Sequence, residues 1–185
     1  MEKIRCGWCE KDDLYRKYHD EEWGRPTYDD NIIFEFLILE SFQAGLSWYT
    51  ILSKRENFRK AFDHFNYKKI ALYTEEKIEE LMNDPGIIRN RLKIKATVNN
   101  AQKFQEVQKE FGSFSKYIWG FVGGKPVDNR PKALSDVPAV TEISDALSKD
   151  LKKRGFKFMG STVVYAHMQA TGMVNDHIES CFIRS

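Results

Sequence analysis

Thr141-Glu-Ile-Ser-Asp-Ala-Leu-Ser-Lys-Asp-Leu-Lys-Lys-Arg-Gly155-Phe-Lys-Phe-Met-Gly160-Ser-Thr-Val-Val-Tyr-Ala-His-Met-Gln-Ala-Thr-Gly172 reads as a helix, a glycine-bordered hairpin and a second helix. Thr141 opens the first helix, which runs through Arg154. Gly155 to Gly160 interrupts it, and Ser161 starts the next, which ends near Gly172. Lys149, Lys152, Lys153, Arg154 and Lys157 crowd the turn with only Asp150 opposing them, a local charge of +5 − 1 = +4 that can neutralise phosphates. A turn leading into a helix N-terminus also offers backbone N–H donors to an anion, which is what gripping a nucleic-acid backbone requires. A solvated basic helix end has the same composition, because cations near a helix C-terminus are favoured anyway, so both readings stay open at this point.

Upstream, apolar residues recur at helical spacing and period-2 alternation is absent, which predicts an all-α fold. Asp29 or Asp30 caps a helix whose Ile32, Ile33, Phe36, Leu37 and Leu39 form a broad buried face, ending near Gln43 and Gly45. Ser47 caps the next, which runs to about Phe62. Thr74 with Glu75 and Glu76 opens another, stopped by Asp84-Pro85-Gly86. Ile87, Ile94, Val98, Ala101, Phe104 and Phe111 then keep helical spacing to Gly112, and a short helix carries Tyr117, Ile118 and Trp119. Gly123, Gly124, Pro126, Pro131 and Pro138 make Gly120 to Pro138 a connecting loop. No fixed-period repeat is present, which excludes solenoids.

A chain of 185 residues suits one domain, residues 1–185, and 42% hydrophobic residues supply its core. With 29 Lys and Arg against 27 Asp and Glu, any nucleic-acid contact must come from a local patch. Met1 to Glu10 has no apolar core of a secretion signal, so the mature chain is expected to start at Met1. The most apolar stretch, Asn31 to Leu46, is broken by Glu35, Glu40 and Gln43, which predicts a soluble protein with no membrane partner. Three cysteines without a secretion signal favour reduced thiols or metal ligands, and hence the cytoplasm.

Three groupings could carry chemistry. Cys6 and His19 near one end, with His177 and Cys181 near the other and on one face of any helix there, suit tetrahedral zinc with no open position, a structural site stapling the termini. The spacing is not that of a standard finger and Cys9 competes with Cys6, so buried thiols and hydrogen-bonded histidines read equally well. Glu40 falls on what should be a buried face, where a carboxylate needs a pairing Tyr or Arg or else a chemical task, with burial raising its pKa. Trp8, Tyr15, Tyr18, Trp23 and Trp48 are core packing or the walls of a pocket for a flat heteroaromatic ligand.

Taken together, Cys6-Gly-Trp8, Tyr18-His-Asp-Glu-Glu-Trp23-Gly24, Leu39-Glu40, Gln43-Ala-Gly-Leu-Ser-Trp48, Gly86-Ile-Ile-Arg89, Lys153-Arg-Gly-Phe-Lys-Phe158 and Val174-Asn-Asp-His177 look like family motifs in order. The chain resembles the 3-methyladenine DNA glycosylase I family of the helix-hairpin-helix superfamily, nearly end to end. The resemblance implies a helix-hairpin-helix DNA glycosylase fold, with that unit at about 142–172, and one structural zinc on Cys6, His19, His177 and Cys181 joining the N- and C-terminal segments. It implies that Glu40 and Tyr18 hydrogen-bond the damaged base, that Trp48 stacks on it, and that Trp8, Tyr15 and Trp23 wall the pocket. Gly45 and Leu46 would press into the gap left by the extruded nucleotide, with Lys153, Arg154, Lys157, Gly160 and Ser161 holding the backbone. The hairpin, Gly155-x4-Gly160, is longer than the Gly-x-Gly of many superfamily members, and Asp176 is read as a helix cap before His177 rather than as a catalytic residue.

The resemblance implies a monofunctional hydrolase of the N-glycosidic bond, acting on double-stranded DNA and releasing free 3-methyladenine, a monomer in a bacterial cytoplasm. Adenine methylated at N3 is cationic, so its bond to the sugar is already weakened, and anionic Glu40 would favour it over neutral adenine. Two other classes remain: a zinc-stapled module that binds without catalysis, marked by a Glu40 paired away from any pocket, and a hydrolase with catalytic zinc, marked by water among the metal's ligands.

Overall fold

Asp12, Asp29, Ser47, Asn66, Thr74, Asn90, Ser113 and Thr141 stand where the chain enters helices, and each side chain accepts a first-turn backbone N–H. That satisfies donors which the helix itself leaves unpaired. In the computed structural model, which describes residues 3–184, these caps begin α1 (Asp13–Glu21), α2 (Asp30–Gln43), α3 (Trp48–Ala61), α4 (Tyr67–Ile70), α5 (Glu75–Met82), α6 (Arg91–Phe111), α7 (Phe114–Gly120) and α8 (Glu142–Lys153). Met1, the expected start, lies outside the described residues. The last helix, α9 (Ser161–Ala170), begins after Gly160 with no side-chain cap, so its leading N–H groups have no side-chain acceptor.

The turn between α8 and α9 follows from hydrogen bonding. Phe156 N donates to Leu151 O and Gly155 N to Lys152 O, both near 3.0 Å, which is the Schellman closure, and Gly155 takes the positive φ of 91° that this closure needs. Phe156 and Leu151 are both buried, so the closure is also an apolar contact. From beneath, Asn99 and Asn100 on α6 hold the hairpin through Gly155 O, Lys157 O and Lys157 N at 2.8–2.9 Å.

Helix α2 is buried on nearly every side, from Ile33 through Phe42 except Glu35, and packs against α3, α6, α7 and α9. A helix apolar all round belongs in a core, and this one is its axis. Ile32, expected on the buried face, is 44% exposed because α2 is covered from its second turn onward.

Three further expectations are corrected. The long helix begins at Arg91 rather than near Ile87; Asn90 caps it, and Ile87 is buried in the turn that Asp84 organises by accepting Gly86 N. The all-helical reading misses a parallel ladder, β1 (Val127–Asp128) against β2 (Val174–Asn175), two residues long and so too short to show an alternation. No α-helix carries His177 and Cys181: Glu179 N donates to Pro131 O and Phe182 N to Ile4 O, so the backbone pairs across the molecule instead of within a helix. Asp176 accordingly caps nothing and is buried among side-chain donors. Among the described residues no helix is long and apolar enough to cross a membrane.

Candidate active site and metal centre

A cavity of about 470 Å³ opens between α1, α2, α3 and α9. Trp8, Tyr15, Tyr18, Trp23, Glu40 and Trp48 all line it, so every residue expected to touch the base meets in one place. Helix geometry puts them there. Tyr15 and Tyr18 are three apart on α1, Glu40 and Gln43 three apart on α2, and Thr162, Ala166 and Gln169 follow one face of α9 at four- and three-residue steps. Trp8 meets Tyr15 edge-on at 4.9 Å and Trp23 at 5.0 Å between ring centres, while Tyr18 lies 5.5 Å from Trp48. The indole N–H of Trp48 is buried without a partner among the described residues.

Glu40 is 4% exposed. No described group hydrogen-bonds it and no cation pairs with it, and burial pushes its carboxyl up to about 8. A carboxyl kept uncompensated in an aromatic cavity attracts a cation or a strong N–H donor, and a cation beside it would return it to the ionised form. Burial and the nearness of Glu40 hold Tyr18 well above the usual phenol range, so its hydroxyl stays a donor.

Gly45 and Leu46 form the turn between α2 and α3, with Gly45 exposed and Leu46 half-buried. Leu46 N donates to Gln43 O at 2.7 Å and Gln43 Nε2 to Leu46 O at 2.6 Å, so one glutamine both lines the cavity and braces the turn. Lys93, buried on α6, closes the end of α2 by donating to Phe42 O at 2.8 Å and Ala44 O at 2.7 Å. Gly160 and Ser161 begin α9 just before Thr162, which lines the cavity, and Lys153 and Lys157 are exposed on the preceding helix end and hairpin. Arg154 differs from its neighbours. Its guanidinium is bound by Asp150 and Glu110 at 2.7 Å, which leaves it little charge for a phosphate.

The sequence reading missed Lys93, Leu134, Val137, Thr162, Ala166 and Gln169. Thr162 and Gln169 are polar positions seven apart on one face of α9 with small Ala166 between them, a signal that could have been found, whereas Leu134 and Val137 come from the connecting loop and reach the cavity only through tertiary folding.

Behind Trp8 and Trp23 lie the cysteines and histidines. The ligand atoms of Cys6, His19 and Cys181 fall within 4.8 Å of one another, and all three residues are buried. His19 Nδ1 donates to Asp20 at 2.8 Å, and Arg5 holds that carboxylate at 2.9 Å, which turns Nε2 toward the Cys181 sulfur 3.6 Å away. His177 lies outside that tight trio, but its ring sits 4.9 Å from that of His19. Asn175 accepts its Nδ1 at 3.0 Å, and its Nε2 is buried with no partner. Two thiols and two imidazoles, each imidazole fixed through its other nitrogen, are the donor set of a closed metal site. Gly24 belongs to this packing, since a Cβ there would stand 2.7 Å from the His177 ring.

The methyladenine glycosylase family model matches residues 8–184. DNA-3-methyladenine glycosylase 1 of Escherichia coli (strain K12) is 49% identical over 177 residues, covering 96% of this chain and 95% of that one. A solved 3-methyladenine DNA glycosylase I from Staphylococcus aureus, described for its recognition of 3-methyladenine, superposes with a TM-score of 0.94 at 41% identity over 98% of this chain and 96% of that one. A variant of 3-methyladenine DNA glycosylase I in complex with 3-methyladenine gives a TM-score of 0.95 at 41% identity, over 98% and 97% of the two chains.

Proposed function

The chain belongs to the methyladenine glycosylase family, and from that membership we propose that it excises 3-methyladenine from alkylated double-stranded DNA by hydrolysing the N-glycosidic bond. One observation carries the reading: an uncompensated buried carboxyl, Glu40, in a cavity walled by three tryptophans and two tyrosines. Indole and phenol faces suit a purine ring, and the carboxyl suits a purine that arrives with positive charge.

The flipped nucleotide leaves its stack at a cost of a few kcal/mol, less for a damaged base, which stacking on Trp48 and insertion of Leu46 with Gly45 offset. Lys153, Lys157 and the N–H groups that follow Gly160 at Ser161 hold the backbone phosphates. In the cavity Glu40 gives up its proton to solvent as the cation enters, Tyr18 donates to the base, and a water adds to the sugar carbon as its bond to the base breaks, losing a proton to solvent. The cation is already a good leaving group, so the residues bind it and stabilise the developing sugar cation rather than supply a strong acid.

Zinc fits Cys6, His19 and Cys181, with His177 as fourth ligand, because its Nε2 is buried without a partner among the described residues and its ring lies 4.9 Å from that of His19. When bound it supplies a structural cross-link between the chain's two ends and takes no part in the reaction. The enzyme works as a monomer and one domain, residues 1–185, with 142–172 as the DNA-gripping unit, in the cytoplasm.

The test is chromatography of the bases released from methylated duplex DNA by the zinc-loaded protein and by Glu40→Ala. Release of 3-methyladenine by the wild type alone is expected. Equal release by both would remove Glu40 from the mechanism, and release by neither folded protein would overturn the activity.

A further inference from the structure

Gln169 lines the cavity from α9, and its amide nitrogen is already committed: Nε2 donates to Asp176 Oδ2 at 2.9 Å. Asp176 is 1% exposed and accepts two further hydrogen bonds, from Tyr165 Oη at 2.5 Å and Asn129 Nδ2 at 2.7 Å. A carboxylate surrounded by donors accepts only donors, so the amide of Gln169 is locked with its nitrogen inward. The carbonyl oxygen is the end that remains. No described residue donates to it, and it is not among the buried polar atoms without a partner, so it opens on the cavity. Gln43 repeats the pattern on the opposite wall, its nitrogen spent on Leu46 O. The cavity therefore offers acceptors from two glutamines in addition to Glu40.

We propose that Gln169 is a selectivity-determining substrate contact, its carbonyl oxygen accepting a hydrogen bond from the exocyclic amine of the flipped adenine, with Asp176 as its positioning residue. The inference rests on the glycosylase reading above. The chemistry of the base leaves one partner for the acceptor. An adenine nucleotide methylated at N3 has N–H groups only on its exocyclic amine. A guanine nucleotide methylated at the same nitrogen is equally cationic but carries a carbonyl oxygen at that ring position, and facing that oxygen leaves both acceptors unpaired. A site built to pair an N–H rejects the analogue that lacks it. Charge separates the damaged base from the normal one, and Gln169 separates adenine from guanine among the damaged ones.

The test is single-turnover release of 3-methyladenine and 3-methylguanine from methylated duplex DNA. Gln169→Met keeps length and apolar bulk but loses the acceptor. It is expected to slow 3-methyladenine release about tenfold while 3-methylguanine release is unchanged or faster, measured below its melting temperature, which the lost donor to Asp176 lowers. Asp176→Asn, which frees the Gln169 amide to rotate, shifts the ratio in the same direction. An unchanged ratio in Gln169→Met, or equal slowing of both bases, would overturn the inference while leaving the activity intact. Release of neither base by the wild type would overturn the activity, and the inference with it.

Discussion

Replacing Glu40 with Gln keeps the shape of the side chain and removes its titration. The folded carboxyl sits at about 8, against an ordinary value of 4.5. Below about 4.5 the group is protonated whether the chain is folded or not, and its burial carries no charge penalty. Between about 4.5 and 8 only the folded state keeps the proton, so this contribution to stability is lost as pH rises, reaching roughly 4–5 kcal/mol above pH 8. Thermal melts should therefore show Glu40→Gln gaining on the wild type through that window and holding a constant lead beyond it. The same substitution should lower 3-methyladenine release by about 10²-fold, as loss of a preorganised charge does. Trp48→Ala should weaken binding of free 3-methyladenine by roughly 1–3 kcal/mol, read by titration of the remaining tryptophan fluorescence. Glu40 and the tryptophans were legible in the sequence because a carboxylate in an apolar run and clustered indoles are conspicuous by type. Gln169 was legible only as a polar position on a helix, since its meaning lies in which end of its amide Asp176 holds.

At the scale of elements, α8, the hairpin and α9 were readable because Thr141, Gly155 and Gly160 are boundary residues whose roles are local. The division of labour among their cations is not local. Lys153 and Lys157 are exposed, whereas Arg154 is bound by Asp150 and by Glu110, a residue 44 positions away. The double substitution Lys153→Ala, Lys157→Ala should weaken binding to duplex DNA and flatten the slope of log affinity against log salt by about 2, with affinity for the free base unchanged. Arg154→Ala should barely move that slope and should lower the melting temperature instead, because it breaks the ion pair with Glu110 that joins α6 to the end of α8 and the one with Asp150 within α8.

For the whole molecule, the proposed metal centre would tie Cys6 and His19 to His177 and Cys181, alongside contacts the protein makes unaided. Phe182 N reaches Ile4 O, and Arg184 bridges Asp128 and the His177 carbonyl at 2.6–2.7 Å. Removing zinc with a chelator is therefore expected to lower the melting temperature by ten degrees or more, as loss of a structural metal does, without unfolding the helical core. Calorimetry with metal analysis before and after chelation checks this. No change in melting, or no bound zinc in the purified protein, would remove the metal from the structure.

The sequence by itself determined seven of the helices, their order and the caps at Asp29, Ser47, Thr74 and Thr141, because these depend on periodicity and on residues within a few positions of one another. It also marked the cavity's aromatic residues and its carboxylate by their chemical type. Only the tertiary structure decided that Glu40 has no partner among the described residues, that the buried His177 Nε2 has none there either while its ring packs against His19, and that irregular backbone rather than a helix brings His177 and Cys181 together. Burial, the pairing of a charge and the direction of an amide are properties of what surrounds a residue, and in this protein those surroundings come from segments more than a hundred positions apart, α1 against the carboxyl-terminal segment and α2 against α9.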